Sequence, residues 1–374
     1  MPRRQKGDGR GSPKRRRALY GSGAVLAAVV VTATLVQAPA NASLFPWWPS
    51  RPTTSTPKPA PTSAPTPNAA LPSGAPQVTA DDGAKVVKET RLDERTLDLE
   101  IQSPALRKNG KVRVYLPEDW SPTGDKTWPQ LWLLHGCCEK LDYTSWDVKT
   151  SAKQFTADKG VITVMPTDGA AGMYSEWWNM GLARTANWEA FHMEEVLQII
   201  ERGYKGGTQR AAAGVSIGGY GALYYGYAYP GTFQSVASYS GIPNTQYIGT
   251  AGVIKGILVR EGFWNWNDLW GHEWLNGNIW RKHNPYANIE KFRGINLYIS
   301  SGNGEVGPLD PPGTGGDPLD ASTLLTSRSF TDRLRQLDIP ATVDYYGKGT
   351  HSWPYWDRAL QQSWPVLAKG LGLG

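Results

Sequence analysis

The sequence predicts an α/β fold with a mainly parallel central sheet and helices on both faces. Two observations predict it. Strand-like and helix-like segments alternate along the chain, and the segment "RAAAGVS" (210–216) has the composition of a buried strand. The segments with strand character are 111–117, 130–136, 160–166, 210–216, 235–241, 295–302 and 341–347.

Helical patterns lie between these strands, for example at 187–204, 217–229 and 321–337. The chain has 374 residues and a hydrophobic content of 40%, which is enough for one substantial core. The sequence contains no internal repeat and no pattern that indicates a second domain. We therefore predict one catalytic domain over 78–374.

The start of the chain has the pattern of a secretory signal over 1–42. A basic segment precedes the apolar run 21–37, and the small-x-small triplet Ala40-Asn41-Ala42 follows it. An uncleaved membrane anchor is the alternative. Arg16 and Arg17 fit twin-arginine export and equally a generic basic leader. We therefore predict a secreted protein, with attachment to the cell wall or membrane through an uncleaved signal as the alternative.

Residues 43–77 form a predicted linker, rich in Pro, Ser, Thr and Ala from 49 onward, that cannot bury a core. The charge pattern also argues against nucleic-acid binding. Eight of the 39 Lys and Arg residues fall within 1–20, and the remainder of the chain is nearly neutral.

The motif "GVSIGG" (214–219) is the strongest chemical signal in the sequence. A strand that ends in Gly-x-Ser-x-Gly and opens a helix makes a tight turn, which presents the serine hydroxyl above the sheet edge. The motif therefore predicts Ser216 as a nucleophile, with a structural glycine-rich turn as the alternative.

A serine nucleophile needs a histidine base and an acid that orients the base. In this fold the order along the chain is serine, acid, histidine. Of the five histidines, His351 lies in the loop after the last predicted strand and satisfies that order. The acid is expected in the Gly/Pro-rich loop before that strand. The pattern leaves four candidates there, Glu305, Asp310, Asp317 and Asp320.

The chain resembles the antigen 85 mycolyltransferases, a family of secreted actinobacterial α/β-hydrolases within the esterase D-like group. The resemblance covers residues from about 99 to the C-terminus. The matching segments are "LLHG" (133–136), "DYTSWD" (142–147), "VMP" (164–166), "YSEWW" (174–178), "NWEAF" (187–191), "GVSIGG" (214–219), "DLWG" (268–271), "ISSGNG" (299–304) and "GTHSWPYW" (349–356).

The resemblance implies roles for individual residues. It implies Ser216 as nucleophile and His351 as base, and the spacing of Leu319-Asp320 from Phe330 implies Asp320 as the acid, where the family has a glutamate. It also implies an oxyanion hole formed by the backbone N–H groups of Cys137 and Ile217. The residues expected to bind substrate are Trp353, Trp177, Asp142 and Ser352.

The two cysteines, Cys137 and Cys138, are adjacent, and the family has Leu-Arg at these positions. The arginine that the family associates with its trehalose acceptor is therefore replaced by Cys138, which cannot form a guanidinium's hydrogen bonds. The sequence leaves three states open for the pair: a vicinal disulfide, two packed thiols and a redox switch. It does not predict a metal site.

The sequence thus predicts a secreted serine acyltransferase or esterase that forms an acyl-enzyme on Ser216. The acyl group passes to a sugar, a glycerol-type acceptor or water, and the substrate is a lipid or acylated-sugar ester. A carboxylesterase acting on acylated polysaccharide or small esters is one alternative, and a non-catalytic wall or sugar-binding protein is another. We expect no cofactor, no obligate protein partner and an association with cell-envelope carbohydrate.

Overall fold

The computed structural model describes residues 78–182 and 186–374, so the predicted signal and linker lie outside the described residues. A nine-stranded sheet runs through this part of the chain. Its strands are β1 (Lys85–Arg91), β2 (Thr96–Ser103), β3 (Lys108–Tyr115), β4 (Trp128–Leu134), β5 (Ile162–Pro166), β6 (Gly206–Val215), β7 (Ser235–Tyr239), β8 (Asn296–Ser301) and β9 (Thr342–Tyr345).

The strands lie side by side in the order β1-β2-β3-β5-β4-β6-β7-β8-β9. The pairs β1/β2, β2/β3 and β3/β5 are antiparallel, and every pair from β5 to β9 is parallel. Parallel strands end at the same edge of a sheet. The loops that follow β4, β6, β8 and β9 therefore meet at one edge.

Helices cover both faces of the sheet. Val236 of β7 approaches the helix after β6 at Gly226, whereas its neighbour Ala237 belongs to the core beneath the C-terminal helix. The α-helices are α1 (Ser145–Lys149), α2 (Ala152–Phe155), α3 (Trp188–Ala190), α4 (Leu197–Tyr204), α5 (Ile217–Ala228), α6 (Thr250–Arg260), α7 (Asn267–Trp270), α8 (Gly277–Lys282), α9 (Pro318–Gln336) and α10 (Trp353–Gly370).

Shorter turns complete the helical structure. A π-helical turn over Phe191–Val196 joins α3 to α4, and 3₁₀ turns occupy Asp142–Thr144, Asn179–Gly181 and Pro285–Phe292. Helix α9 begins at a typical cap, because the Asp317 carboxylate accepts a hydrogen bond from the Leu319 N–H at 2.8 Å and Pro318 occupies the first turn.

The α/β class with a mainly parallel sheet is confirmed. Each of the seven predicted strands is present, with ends that differ by a few residues, and the helices predicted at 187–204, 217–229 and 321–337 are present as well. The sequence analysis did not include β1 and β2, which extend the sheet at its antiparallel side. No helix in 78–182 or 186–374 is long and apolar enough to cross a membrane.

Candidate active site

Ser216 lies at a sharp turn between β6 and α5. Its backbone has φ = 55° and ψ = −120°, a conformation that a non-glycine residue rarely adopts. The flanking glycines allow the turn to close. A Cβ atom on Gly214 would lie 2.1 Å from the carbonyl oxygen of Gly218, and one on Gly218 would lie 2.4 Å from the carbonyl oxygen of His135. Both positions therefore require glycine, as the motif predicts.

The loop after β4 lies directly beside this turn. Leu134 at the end of β4 pairs with Gly214 near the end of β6. A Cβ atom on Gly136 would lie 3.5 Å from the Cβ atom of Ser216. The structure thus brings Cys137, the next residue, to the neighbourhood of Ser216, as the resemblance implies.

The two cysteines form a disulfide. Their Cα atoms lie 3.7 Å apart, and Cys138 has φ = 76°. The Cys138 N–H donates to the carbonyl oxygen of Ala170 at 2.7 Å. Within the described part of the chain, neither the Cys137 N–H nor the Ile217 N–H donates to a protein acceptor. Of the three states that the sequence leaves open, the structure therefore contains the disulfide.

His351 and Asp320 form the second half of the site. His351 Nδ1 lies 3.1 Å from Asp320 Oδ1, and Asp320 is fully buried. Because a carboxylate only accepts hydrogen bonds, Nδ1 carries the proton and Nε2 is left for another partner. The imidazole ring packs edge-on against Trp356 at a centroid distance of 4.9 Å, which holds its plane.

The other three carboxylates of the same loop have different partners. Asp317 caps α9 and accepts the backbone N–H of His351 at 3.2 Å. Asp310 accepts hydrogen bonds from the hydroxyls of Thr350 and Tyr355. Glu305 is exposed beside Lys348. Among the four candidates, Asp320 is the one whose carboxylate contacts the imidazole of His351.

Trp146 connects the two halves of the site. Its indole Nε1 donates to the carbonyl oxygen of Leu134 at 3.1 Å, at the end of β4. Its ring also packs edge-on against Trp353, two residues after His351, at a centroid distance of 5.4 Å. One buried side chain thus fixes the separation between the β4 loop and the start of α10.

Beneath the β4 loop lies a buried cluster of His135, Asp142 and Asp168. His135 Nδ1 donates to the Gly136 carbonyl at 2.7 Å, and His135 Nε2 lies 3.2 Å from Asp142 Oδ2. Burial disfavours the charged imidazole, but the charge of Asp142 and its contact with the ring more than offset it, so the pKa of His135 is raised.

The two acids of this cluster behave differently. Burial raises the pKa of Asp168 well above its ordinary value, which favours a neutral carboxyl group. Burial also acts on Asp142, but the charge and hydrogen bond of His135 and the Thr167 hydroxyl outweigh it and lower the pKa. Burial thus disfavours the charged form of Asp168, whereas the contacts of Asp142 favour its charged form.

Asp142, which the sequence analysis predicts to bind substrate, is buried in this cluster. One oxygen of Asp142 accepts the Tyr143 N–H, and the other accepts the Thr167 hydroxyl and the Asp168 N–H. Both oxygens therefore already have protein donors. The Asp142 side chain supports the loop that carries Gly136 and Cys137 from below.

The remaining predicted substrate-binding residues lie in two places. Trp353 and Ser352 follow His351 at the start of α10, where Trp353 is half-buried and Ser352 Oγ lies 3.2 Å from Thr350 Oγ1. Trp177 is buried, its Nε1 donates to the Gly172 carbonyl, and its ring packs on Phe263. Trp353 and Ser352 thus lie next to His351 because they follow it directly in the chain.

The sequence analysis missed two supports of the site, Gly302 and Tyr174. A Cβ atom on Gly302, at the end of β8, would lie 2.6 Å from Asp320 Oδ2. The Tyr174 hydroxyl donates to the His135 carbonyl at 2.9 Å. Their positions in the segments "ISSGNG" and "YSEWW" are the signal that could have found them. Within the described residues, no group of His, Cys, Asp and Glu side chains could hold a metal ion.

Comparison with known proteins places the chain in a family. The Esterase family model matches residues 103–367. The chain is similar to the diacylglycerol acyltransferase/mycolyltransferase Ag85B of Mycolicibacterium smegmatis, with 27% identity over 73% of this chain and 85% of that protein. It is also similar to Esterase Rv1288 of Mycobacterium tuberculosis, with 29% identity over 69% of this chain but only 56% of that protein.

A solved structure has the same fold. The crystal structure of MPT51 from Mycobacterium tuberculosis superposes with a TM-score of 0.61 at 20% identity, covering 72% of this chain and 96% of that chain. The α/β-hydrolase fold and the resemblance to the antigen 85 group are confirmed.

Proposed function

The chain belongs to the Esterase family, whose antigen 85-like relatives are acyltransferases and esterases, and on that premise we propose that it works through an acyl-enzyme on Ser216. It is an enzyme of the acyltransferase or ester-hydrolase class. The observation that carries the proposal is the backbone conformation of Ser216 at the glycine-flanked turn after β6.

In the proposed first step, the Ser216 hydroxyl attacks the carbonyl carbon of an ester. Nε2 of His351 takes the hydroxyl proton, and the positive charge that develops on the ring is stabilised by Asp320 through the 3.1 Å contact at Nδ1. The tetrahedral intermediate collapses when His351 returns that proton to the leaving alcohol. The acyl group then remains on Ser216.

Two backbone N–H groups are proposed to stabilise the oxyanion. Those of Cys137 and Ile217 have no protein acceptor in the described part of the chain. Cys137 lies in the loop beside Ser216, and Ile217 directly follows Ser216 at the start of α5. Loss of one such donor in a serine hydrolase lowers kcat about 10²–10³-fold. The pair is therefore a large part of the proposed rate enhancement.

In the second step an acceptor hydroxyl gives its proton to Nε2 of His351 and attacks the acyl carbon. The ester bond to Ser216 then breaks, and His351 returns the proton to the Ser216 oxygen. A sugar or a glycerol-type alcohol makes the enzyme an acyltransferase, whereas water makes it an esterase. The acyl substrate is a lipid or acylated-sugar ester. We propose that the protein acts outside the cytoplasm, in contact with cell-envelope carbohydrate, because of its predicted signal over 1–42 and linker over 43–77.

The test follows the acyl group. Purified protein is incubated with p-nitrophenyl esters from acetate to long chain, with and without trehalose or glycerol, and the products and the acyl-enzyme are identified by mass spectrometry. Ser216→Ala should abolish both p-nitrophenol release and the acyl adduct. Full activity in Ser216→Ala would refute the assignment. Acylated trehalose or glycerol identifies a transferase, and free acid alone identifies an esterase.

A further inference from the structure

The vicinal disulfide lies in the loop that carries a proposed oxyanion donor. We infer that the Cys137–Cys138 disulfide is a positioning element for catalysis, which holds the Cys137 N–H toward the reacting carbonyl at Ser216. This inference rests on the proposed function and deepens it. The bond between the two side chains would hold the backbone of Cys137 in the orientation needed for catalysis.

The first argument is the backbone conformation of Cys138. Its φ of 76° lies in the left-handed region, which a residue with a Cβ atom normally avoids. The disulfide joins its side chain to that of Cys137, whose Cα atom is 3.7 Å away. This covalent link restricts the rotation that would otherwise let Cys138 leave the left-handed region.

The second argument is that the two neighbouring N–H groups have different hydrogen-bond partners. The Cys138 N–H points inward to the Ala170 carbonyl at 2.7 Å, whereas the Cys137 N–H has no acceptor in the described part of the protein. The peptide bond that joins the two residues is part of the ring closed by the disulfide. Because of the disulfide, the Cys137 N–H stays free to bind substrate as long as the Cys138 N–H is bonded to Ala170.

The third argument is that the loop is fixed on both sides of the cysteines. Upstream, the Tyr174 hydroxyl donates to the His135 carbonyl at 2.9 Å, and the His135 ring donates to the Gly136 carbonyl. Downstream, Asp142 is buried and bonded. When the disulfide opens, the backbone change is therefore confined to the residues between these anchors, which include the proposed donor.

Reduction provides a direct test because the chain contains only these two cysteines. Dithiothreitol gives two electrons and two protons to the Cys137–Cys138 bond, leaves two thiols, and itself closes to a cyclic disulfide. We expect kcat for a p-nitrophenyl ester to fall about tenfold to a hundredfold, with KM changed by less than about threefold. The affinity for a boronic acid, which mimics the tetrahedral intermediate, should fall in parallel.

A pair of double variants separates the backbone effect from the thiol chemistry. Cys137→Ala/Cys138→Ala lacks the disulfide and places alanine in the left-handed region. Cys137→Ala/Cys138→Gly also lacks the disulfide, but glycine adopts positive φ without strain. We expect the glycine variant to be at least about fivefold more active than the alanine variant, and both to be insensitive to dithiothreitol.

Several results would overturn the inference. One is that kcat and the affinity for the boronic acid stay unchanged after a thiol titration has shown that the disulfide is completely reduced. Another is a Cys137→Ala/Cys138→Ala variant as active as the native protein. Thermal unfolding of each sample shows whether it is folded. If reduction unfolds the protein, the comparison of the two double variants tests the inference instead. Activity in Ser216→Ala would instead refute the proposed function, so the two failures are distinguishable.

Discussion

Nδ1 of His351 lies 3.1 Å from Oδ1 of Asp320, and the two residues come from separate elements, the loop after β9 and the first turn of α9. The carboxylate is fully buried, and its other oxygen, Oδ2, has no hydrogen-bond partner among the described residues. A buried acceptor of this kind fixes both the tautomer and the orientation of the ring.

Replacing this acceptor should remove most of the activity. In Asp320→Asn the side chain can present an N–H to Nδ1, which favours the tautomer with the proton on Nε2, so kcat should fall by about 10²–10⁴. Glu305→Gln is the matched control, since Glu305 is exposed and its carboxylate pairs with Lys348 at 3.4 Å. Steady-state kinetics on one p-nitrophenyl ester compare them. Equal rates for Asp320→Asn and the native enzyme would exclude Asp320 as the acid.

Gly302 should be intolerant of any side chain. A Cβ atom there would lie 2.5 Å from the Gly349 carbonyl and 2.6 Å from Asp320 Oδ2, so Gly302→Ala must displace the acid or the loop that carries His351. We expect a loss of about 1–3 kcal/mol in the free energy of unfolding together with a lower kcat. Gly315→Ala, with nothing within 4 Å of the added atom, is the control. A Gly302→Ala enzyme with native kinetics would contradict this packing.

The two buried acids near His135 should respond differently to neutralisation. Asp168→Asn replaces a carboxyl group whose charged form burial disfavours, and should lower the free energy of unfolding by less than about 1 kcal/mol. Asp142→Asn removes a carboxyl group whose charged form His135 favours, and should lower the free energy of unfolding by about 3 kcal/mol. Urea unfolding at pH 7 measures both. The assignment of charges fails if Asp168→Asn is the more destabilising change.

His192 should make the protein less stable in acid. Burial lowers its pKa to about 3, with the ring held between the Tyr225 hydroxyl and the Thr167 carbonyl. Its value in the unfolded chain is about 6.5. Between these values only the unfolded state binds the proton, so the free energy of unfolding falls as pH drops below about 6.5.

The change from pH 7 to pH 5 that is due to His192 amounts to about 2 kcal/mol. The difference in unfolding free energy between the native protein and His192→Gln should therefore shrink by that amount over this range, as measured by urea unfolding. His283, with a pKa lowered to about 3, and Glu195, with a pKa raised to about 7, titrate in both proteins and cancel in the difference. A difference that stays constant with pH would mean that His192 does not titrate as described.

The sequence predicted the parallel part of the sheet and the positions of Ser216 and His351, because buried strands and the glycine-flanked turn leave local patterns. Strand β2 has a local pattern too, since Leu97, Leu99 and Ile101 are buried and alternate with polar residues, and the sequence analysis missed it. Strand β1 has no such signal because its side chains are almost all exposed.

The choice among the four carboxylates and the state of the cysteines could not be derived from local pattern. Asp317 and Asp320 lie three residues apart at the start of one helix, and only their three-dimensional surroundings separate the helix cap from the partner of His351. Likewise, adjacent cysteines are compatible with thiols or a disulfide until the backbone of Cys138 is known. Both questions depend on contacts between distant segments.

The turn at Ser216 is held by contacts between backbone atoms, where Gly214 meets Gly218 and Gly218 meets the carbonyl of His135. The location of the Ser216 hydroxyl thus depends on contacts of the main chain and not on the side chains around it. Under the proposed function, reactivity and substrate choice are encoded in different parts of the chain. A protein engineer could diversify the residues at the start of α10, beside His351, to select new acyl groups and acceptors, while the Ser216 hydroxyl stays where the main chain puts it.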